Sequence, residues 1–431
     1  MVGGELMIYG INDSPKTIKE WLLYAFQQCL SILTATILIS SICGTSVSAG
    51  LVAAGFATFT FLCITGFKCP LFISNSGATV GAVLGTAALA NSIEENCTGV
   101  LIGGFIIFLM NAICALVIKK IGTGWISRVF PPVIVGTAIL IIGINLMGFI
   151  PTYMQINGVY SLIGLGVAFF TMLYAALYNH YGTGLVPTLS FLFAVITAYA
   201  ICAILTITKV VPLVDFSVFA NTSLFTMPDF SFMHLDFAGF DWRKLPNIIL
   251  MYLCVNISAV SEHIGDILTA SEITETDLIK KVGLHRTLFA DGAADFIGCL
   301  IGSQPTTTYG ESLATIAVSK VASTKVIGLA AFMTALLGFI GPFNALIVGM
   351  PNCIFGGISM VAYGYIALSG LKVLAHSNID YNKSKNMLIF AIMLSLGTSG
   401  AALTAGSFNI SGVSLAIITG ILLNILLKDK E

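Results

Sequence analysis

The chain alternates long apolar runs with short polar segments. A helix that crosses a bilayer needs roughly 20 consecutive, mostly apolar residues. Twelve uninterrupted runs meet this requirement and are predicted to be membrane-spanning helices: 21–43, 47–66, 98–118, 131–150, 159–178, 185–211, 246–269, 284–302, 326–348, 354–375, 386–403 and 412–427.

Two further elements are interrupted. Residues 70–90 begin extended, turn polar at Ser74, Asn75 and Ser76, and continue as a helix of small residues. Residues 304–319 begin with a β-branched run and continue as a short helix from Glu311. Non-helical backbone at membrane depth is tolerated only where it is buried in protein or lines a cavity. We therefore predict two half-spanning helices, each preceded by an extended stretch that faces a cavity.

The interrupted elements are the third and the tenth of fourteen. Each is therefore third within its own set of seven, and an odd number of crossings inverts the second set. Interrupted segments at matching positions of inverted repeats indicate the substrate site of a transporter. We predict a first repeat over 1–211, an ordered extracellular loop over 212–245 that could hold a hairpin, and a second repeat over 246–431.

Composition agrees with a multi-pass membrane protein. The chain is 57% hydrophobic and 9% charged, whereas soluble domains have roughly 25% charged residues. A net charge of −1 provides no bulk attraction to nucleic acid. The ten cysteines form no C-x-x-C pair, and nothing in the sequence indicates a metal or a cofactor.

The basic residues predict the orientation. With the N-terminus inside and fourteen alternating crossings, sixteen of the nineteen Lys and Arg residues fall in cytoplasmic loops or ends. Only Lys209, Arg243 and Lys244 fall outside. This asymmetry follows the positive-inside rule. It predicts a protein of the cell membrane with both termini in the cytoplasm.

Five carboxylates occur within fifty residues of otherwise apolar sequence: Glu262, Asp266, Asp291, Asp295 and Glu311. Glu262 and Asp266 are four residues apart and share a helix face, and so do Asp291 and Asp295. No Lys or Arg lies within these spans to pair with them. Charged groups at membrane depth usually mark substrate or proton pathways. We predict roles in the site for Glu262 and Glu311 first, then for Asp266 and Asp291, whereas Asp295 could instead serve a polar contact between helices.

Other polar residues have two interpretations. His263 points about 100° away from Glu262 around the helix, which favours a packed or bridging histidine. Ser76 and the Gly77 amide are candidates for substrate contact, although turn chemistry would also place them there. Gln27 and Gln28 either join helices or belong to the site. Tyr363 either supports the site or packs in the core.

An ordered set of motifs resembles one transporter family. The motifs are Ser261-Glu-His-Ile-Gly-Asp266, Gly283-Leu-His-Arg286, Phe289-Ala-Asp-Gly292, Pro305-Thr-Thr-Thr-Tyr-Gly-Glu311, Gly357-Ile-Ser359 and Asp380-Tyr-Asn-Lys383. In this order they resemble the nucleobase/ascorbate transporter family, most closely its bacterial uracil permease branch. The likeness extends over nearly the whole chain and is densest from 246 to 385.

The resemblance implies an all-α fold of fourteen segments in a seven-plus-seven inverted repeat, with two short antiparallel strands in segments three and ten. It implies core and gate domains drawn from both repeats, and a homodimer. It implies symport of a nucleobase with a proton. By motif position, Glu262 and Glu311 would hydrogen-bond the base, and Gly310 with the Ser76–Gly77 pair would meet its carbonyl groups.

Departures from the family motifs leave the substrate open. Uracil permeases often have histidine at the position of Asp266, whereas xanthine permeases have aspartate there and at the position of Asp291. The usual Glu-Asn-x-Gly signature reads Glu311-Ser-Leu-Ala314 here, and Gly77 replaces an aromatic residue. The Thr-Thr-Tyr-Gly-Glu run favours uracil, and the two aspartates favour xanthine or another purine.

Two rival classes are less consistent with these residues. An anion transporter on the same inverted-repeat scaffold should have a neutral or basic site, and this one is acidic. An intramembrane aspartyl protease would pair two aspartates, but the Tyr-Asp and Gly-x-Gly-Asp motifs of that class are missing from the chain. We therefore expect a transporter and not an enzyme.

Overall fold

The computed structural model describes most of the chain. The described residues are 7–122, 126–129, 131–148, 150–156, 159–183, 186–187, 190–220, 222–377, 379–401, 403–405, 408–410 and 412–427.

The first half is helical, apart from three short strands. Its elements are α1 Ile18–Cys43, α2 Val47–Thr65, β1 Ile73–Asn75, α3 Val80–Leu89, α4 Ile93–Ile121, α5 Ile126–Val129, α6 Pro132–Met147, α7 Ile150–Tyr153, β2 Gln155–Ile156, β3 Val159–Tyr160, α8 Leu162–Tyr181 and α9 Ser190–Ile207. Hydroxyl side chains cap several N-termini. Thr17 and Glu20 form a capping box on α1, and Ser46 and Ser92 accept from backbone N–H groups of α2 and α4.

The rest of the chain begins with a loop that has little regular structure. Its elements are α10 Ser217–Ala220, α11 Leu245–Ile273, α12 Leu284–Ile301, β4 Thr306–Thr308, α13 Gly310–Ser319, α14 Thr324–Phe339, α15 Gly341–Val348, α16 Asn352–His376, α17 Ser384–Thr398, β5 Leu403–Ala405, β6 Phe408–Ile410 and α18 Gly412–Leu426. A π-helical turn at Ile279–Gly283 leads into α12.

Among the described residues, eight helical segments are long and apolar enough to cross a membrane, and four shorter apolar helices accompany them. Each uninterrupted predicted span coincides with one or more helices of the structure, but the number of crossings stays a prediction. One predicted span, 326–348, consists of two helices, because the chain is extended at Ile340 and restarts at Gly341 with Pro342 in the first turn.

The two interrupted elements meet as predicted. β1 pairs with β4 in antiparallel register, with Ile73 opposite Thr308, Ser74 opposite Thr307 and Asn75 opposite Thr306. A short 3₁₀ turn, Gly77–Thr79, connects β1 to α3, and α13 begins two residues after β4. Each strand therefore leads directly into a half-length helix.

The loop over 212–245 is ordered, but the described part of it forms no hairpin. It contains α10 and 3₁₀ turns at Ser231–Met233 and Trp242–Lys244. Phe225 instead bridges to Ile340 at the break between α14 and α15. The extended residues of this loop thus find backbone partners in the second half of the chain, and the hairpin suggested by the sequence is wrong.

Two hairpins were not expected from the sequence. β2 pairs with β3, and β5 pairs with β6. Residues 159–160 and 403, which the sequence predicts to be helical, therefore lie in strands. Both are short and lie beside apolar runs, so the hydropathy pattern does not distinguish them from helix ends.

Helix packing divides the chain into two groups. In one group, α2 packs against α1, α12 and α14, and α4 packs against α11 and α12. In the other, α16 packs against α6, α8 and α9, and α17 packs against α6 and α18. Each group combines helices from both halves of the chain. Glycines permit close contacts: a Cβ at Gly103 of α4 would overlap the ring of Tyr252 in α11.

Candidate functional site

The site is built around the short sheet of β1 and β4. Beyond the paired strands, the Tyr309 N–H donates to the Phe72 carbonyl at 3.0 Å, and the Ser76 N–H donates to the Pro305 carbonyl at 3.0 Å. The strands thus stay joined up to the residues that begin both half-helices. This places the N-terminal ends of α13 and of the turn before α3 at one central location.

Neither half-helix has a side-chain cap at its start. Ser76 and Tyr309 occupy the N-cap positions with extended backbone, and neither side chain accepts from the first turn. The first N–H groups of a helix have no partner within the helix, and they carry a partial positive charge. Apart from the Glu311 N–H, which its own carboxylate engages, these N–H groups are available to the carbonyl oxygens of a ligand.

Open space adjoins both starting glycines. A Cβ added at Gly310 would meet no other atom within 4 Å, and one at Gly77 would meet only Leu146, at 3.7 Å. Gly310 is exposed and Gly77 is partly exposed, whereas the Ser76 side chain is fully buried and its hydroxyl has no partner among the described residues. Of the predicted pair, Gly77 therefore lies beside open space, whereas the Ser76 side chain is buried.

Side chains satisfy the outer edge of each strand. The Thr58 hydroxyl of α2 donates to the Ile73 carbonyl and accepts from the Ile73 N–H, each at 2.9 Å. On the opposite side, the Thr306 hydroxyl donates to Asp295 of α12 at 3.5 Å, and the Thr306 N–H also reaches that carboxylate. Asp295 is 1% exposed. Its carboxylate accepts hydrogen bonds from the outer edge of β4, which agrees with the alternative role of Asp295 as a polar structural contact.

Further polar contacts fix β1 against α1. The Asn75 amide donates to the Thr36 carbonyl at 3.1 Å and to the Ser40 hydroxyl at 2.8 Å, and the Ser303 hydroxyl donates to the Asn75 oxygen. The hydroxyl groups of Ser74 and Thr36 lie 2.7 Å apart. The side chains of this network are all buried. Sequence reasoning missed Thr36 and Ser40 because single hydroxyl residues in an apolar helix usually bond back to their own helix.

Three carboxylates lie near the start of α13. Glu262, Asp266 and Glu311 are partly exposed, and the Glu262 carboxylate interacts electrostatically with those of Asp266, Glu311 and Asp291. Glu311 lies in the first turn of α13, beside Gly310. The lysine ion pairs of the described residues lie elsewhere, between Lys244 and Glu95 and between Lys280 and Asp277. The structure therefore brings Glu262 and Glu311 together without a basic partner.

Asp266 connects α11 to the central sheet. Its Oδ2 accepts from the Thr308 hydroxyl at 2.6 Å. Thr308 is two residues before Gly310, so the contact links the helix of Glu262 to the start of α13. Asp266 thus borders the open space and also holds β4.

His263 and Asp291 lie behind this layer. His263 Nε2 is 3.1 Å from the Thr287 hydroxyl, and Nδ1 is 3.6 Å from Asp291 Oδ2. Both side chains are at most 1% exposed. His263 is therefore a bridging residue between α11 and α12, and Asp291 has no direct access to the open space in this conformation.

The two glutamines of α1 behave differently. Gln28 donates to the Ser312 carbonyl at 3.4 Å and accepts from the Ser312 hydroxyl at 3.1 Å, next to Glu311. Gln27 is buried, and its amide atoms have no partner among the described residues. Tyr363 is 2% exposed and lies in the main apolar core. Gln28 thus supports α13, and Tyr363 is placed as a packing residue.

A separate cavity of about 250 Å³ lies on the opposite face of α11. It is lined almost wholly by apolar side chains of α4, α11 and α12, among them Leu253, Val260 and Ile264. None of the predicted site residues lines it. Among the described residues, no three His, Cys, Asp or Glu side chains are grouped as metal ligands would be.

Comparison with known proteins identifies relatives along the whole chain. A family model described as the permease family matches residues 19–406. The uracil permease of Bacillus caldolyticus is 33% identical over 427 residues, which cover 98% of this chain and 95% of that protein. The uracil permease of Escherichia coli (strain K12) is 30% identical over 427 residues, which cover 97% of this chain and 94% of that protein. The family resemblance found in the motifs is confirmed.

A solved structure shares the fold. The transmembrane domain of a cyanobacterium bicarbonate transporter, BicA, superposes with a TM-score of 0.65 and covers 96% of this chain and 99% of that domain. The two sequences are 13% identical, so this likeness concerns the fold alone. Together with the apolar helices, these comparisons identify a multi-pass membrane protein related to permeases, which are transporters and not enzymes.

We predict that Thr58→Val destabilises the protein. Valine has nearly the same shape but leaves the Ile73 N–H and carbonyl groups unpaired in a buried site, which costs about 1–3 kcal/mol per group. Thr60→Val is the matched control, because the Thr60 hydroxyl only bonds back to Phe56 within α2. Thermal unfolding of the purified protein in detergent should show a lower midpoint for Thr58→Val alone. Equal midpoints for both variants would contradict this account of the β1 edge.

Proposed function

This chain belongs to the permease family, and from that premise we propose that it imports a nucleobase, uracil first, by symport with protons across the cell membrane. The observation that carries this proposal is the pairing of two uncapped half-helix starts with two unpaired glutamates. A uracil ring presents both N–H donors and C=O acceptors on its edge. The glutamates complement the donors, and the backbone amides complement the acceptors.

We assign the substrate contacts accordingly. Glu262 and Glu311 accept from ring N–H groups, and the amides of Gly310 and Gly77 donate to ring carbonyls. Ser76 serves as the N-cap residue directly before Gly77. A buried polar ring needs a partner for each edge group, and a site that supplies them rejects analogues that leave one of its own groups unpaired.

We assign proton coupling to the carboxylates nearest Glu262. Like charges at low dielectric do not ionise together readily, so one member of such a group holds a proton near neutral pH. Asp266 borders the open space, and Asp291 lies behind it against His263. Gln28 supports the site from α1 through its two contacts with Ser312, next to Glu311.

A xanthine or other purine substrate is the second candidate. The observation that favours it is aspartate at positions 266 and 291. The Asp266 carboxylate is partly exposed although it accepts from Thr308. A larger ring would extend toward this carboxylate. Anion transport, suggested by fold alone, is disfavoured because the groups around the open space are acidic.

The remaining architecture is part of the same proposal. We infer fourteen crossings in a seven-plus-seven inverted repeat, with 1–211 and 246–431 as the repeats and both termini in the cytoplasm. The group of α1–α4 with α11–α14 is the core domain, and the group of α6, α8, α9 and α16–α18 is the gate domain. Substrate is exposed to alternate sides when the core moves against the gate, and the gate carries a homodimer interface.

The direct test is uptake of labelled uracil into vesicles that contain the purified protein. An inward proton gradient should drive accumulation, a protonophore should abolish it, and excess unlabelled uracil should compete where adenine and cytosine do not. Accumulation of xanthine and not uracil would select the second candidate. Gradient-dependent uptake of neither base would overturn the proposal.

Glu262→Gln should weaken uracil binding by at least about tenfold, because a hydrogen bond to a charged group contributes roughly 1.5–3 kcal/mol. Equilibrium binding to purified protein measures the effect. Glu272→Gln is the control, since Glu272 lies on the same helix but is exposed. Unchanged affinity in Glu262→Gln would remove that residue from the site.

Asp266→Asn or Asp291→Asn should flatten the dependence of uptake on external pH. Uptake by the parent should fall as the pH rises, because fewer protons are available for symport. A variant that lacks the proton-carrying carboxylate should lose this dependence while still binding uracil. If both variants keep the parent's pH profile, neither aspartate carries the coupled proton.

A further inference from the structure

The N-terminal strap, residues Met7–Ser14, lies along the linker between α13 and α14. The Ile8 and Tyr9 N–H groups donate to the Lys320 carbonyl at 2.9 and 3.3 Å, and the Ala322 N–H donates to the Tyr9 carbonyl at 2.9 Å. Tyr9 and Val321 form a parallel β-bridge. The strap is therefore joined by its backbone to the residues that directly follow α13.

The pairing continues along the strap. The Thr324 N–H and hydroxyl both donate to the Ile11 carbonyl, at 3.1 and 3.0 Å. The Ser323 hydroxyl donates to the Asp13 carbonyl at 2.6 Å, and Lys325 Nζ donates to the Ser14 hydroxyl at 2.8 Å. Ser323 is also the N-cap of α14. The strap thus holds the linker from 320 to 323 and the first two residues of α14.

The Tyr9 side chain joins this assembly to α1. Its hydroxyl donates to Glu20 Oε2 at 2.7 Å and accepts from the Lys16 N–H at 3.2 Å. Glu20 also closes the capping box of α1 with Thr17. Tyr9 is 8% exposed. Tyr9 therefore connects the start of α1, through its side chain, to the residues that follow α13, through its backbone.

α13 depends on such anchors because it is short. A ten-residue helix is marginal by itself and about 15 Å long. α1 holds it near its start through Gln28 and Ser312, and Tyr9 ties its far end to the start of α1. Gly310 and Glu311 lie at the first end. A displacement at the strap end would therefore move the groups that face the open space.

We propose that Tyr9 is a positioning residue for the substrate site, acting through the strap on α13. The assignment of the substrate rests on the proposed function, but the mechanical link does not. The strap contacts α1, the linker that follows α13, and the start of α14, all in one packing group. Because the strap does not connect the two packing groups, it affects the affinity of the site for substrate and does not open or close the site.

The test is Tyr9→Phe in the full-length protein, with Tyr181→Phe as control because Tyr181 is exposed and distant in sequence from the strap. Loss of the hydroxyl contact should raise the KM for uracil about three- to tenfold, while the maximal rate per folded transporter is retained. Adding Glu20→Gln to Tyr9→Phe should change the KM little further, since their shared contact is already lost and glutamine keeps a side-chain oxygen for the capping box. A lower maximal rate with unchanged KM would mean a folding role only and would overturn the proposal.

Hydrogen exchange supplies a readout that does not depend on the substrate. Backbone amides of 310–319 should exchange faster in Tyr9→Phe than in the parent or in Tyr181→Phe. Unchanged exchange there would overturn the mechanical link even if uracil is transported. If the parent binds no uracil, the proposed function fails, and the exchange result alone decides the role of Tyr9.

Discussion

The structure depends on one constraint: extended backbone inside a bilayer has no water to satisfy its polar groups. β1 and β4 partner each other on their inner edges, and Thr58 and Asp295 complete their outer edges. This requirement accounts for a buried aspartate that otherwise has no evident use. It also explains why the strands stop after three residues, because each further residue would need another polar partner from a surrounding helix.

The ends of the two strands provide the groups that we propose bind the substrate. Each strand is followed by a helix start without a side-chain cap, so backbone N–H groups face the space beside Gly77 and Gly310. Glu262 and Glu311 border the same space without a basic partner among the described residues. A ligand that offers both carbonyl oxygens and N–H groups satisfies both sets. The same arrangement disfavours simple anions, which the glutamates would repel.

Most of the fold can be predicted from the sequence, because long apolar runs and the polar breaks within them have strong physical causes in a membrane. The polar residues Ser74 and Asn75 and the β-branched run at Thr306–Thr308 stand out in apolar surroundings, and both lie in strands. Glu262 and Glu311 stand out in the sequence because no Lys or Arg lies within their spans, and the structure brings the two carboxylates together. The contacts of Thr58, Thr36 and Ser40 could not be predicted, because they depend on which helix faces the sheet. The break at Gly341 and the short hairpins lie inside or beside apolar runs, where hydropathy carries no signal for them.

The most direct test of the site is an experimental structure of the protein with uracil bound. The account predicts density for the ring in the space between the Gly77 and Gly310 amides, with the Glu262 and Glu311 carboxylates within hydrogen-bonding distance of its N–H groups. A ring located elsewhere, for example in the apolar cavity on the opposite face of α11, would contradict the assignment of these residues to the substrate.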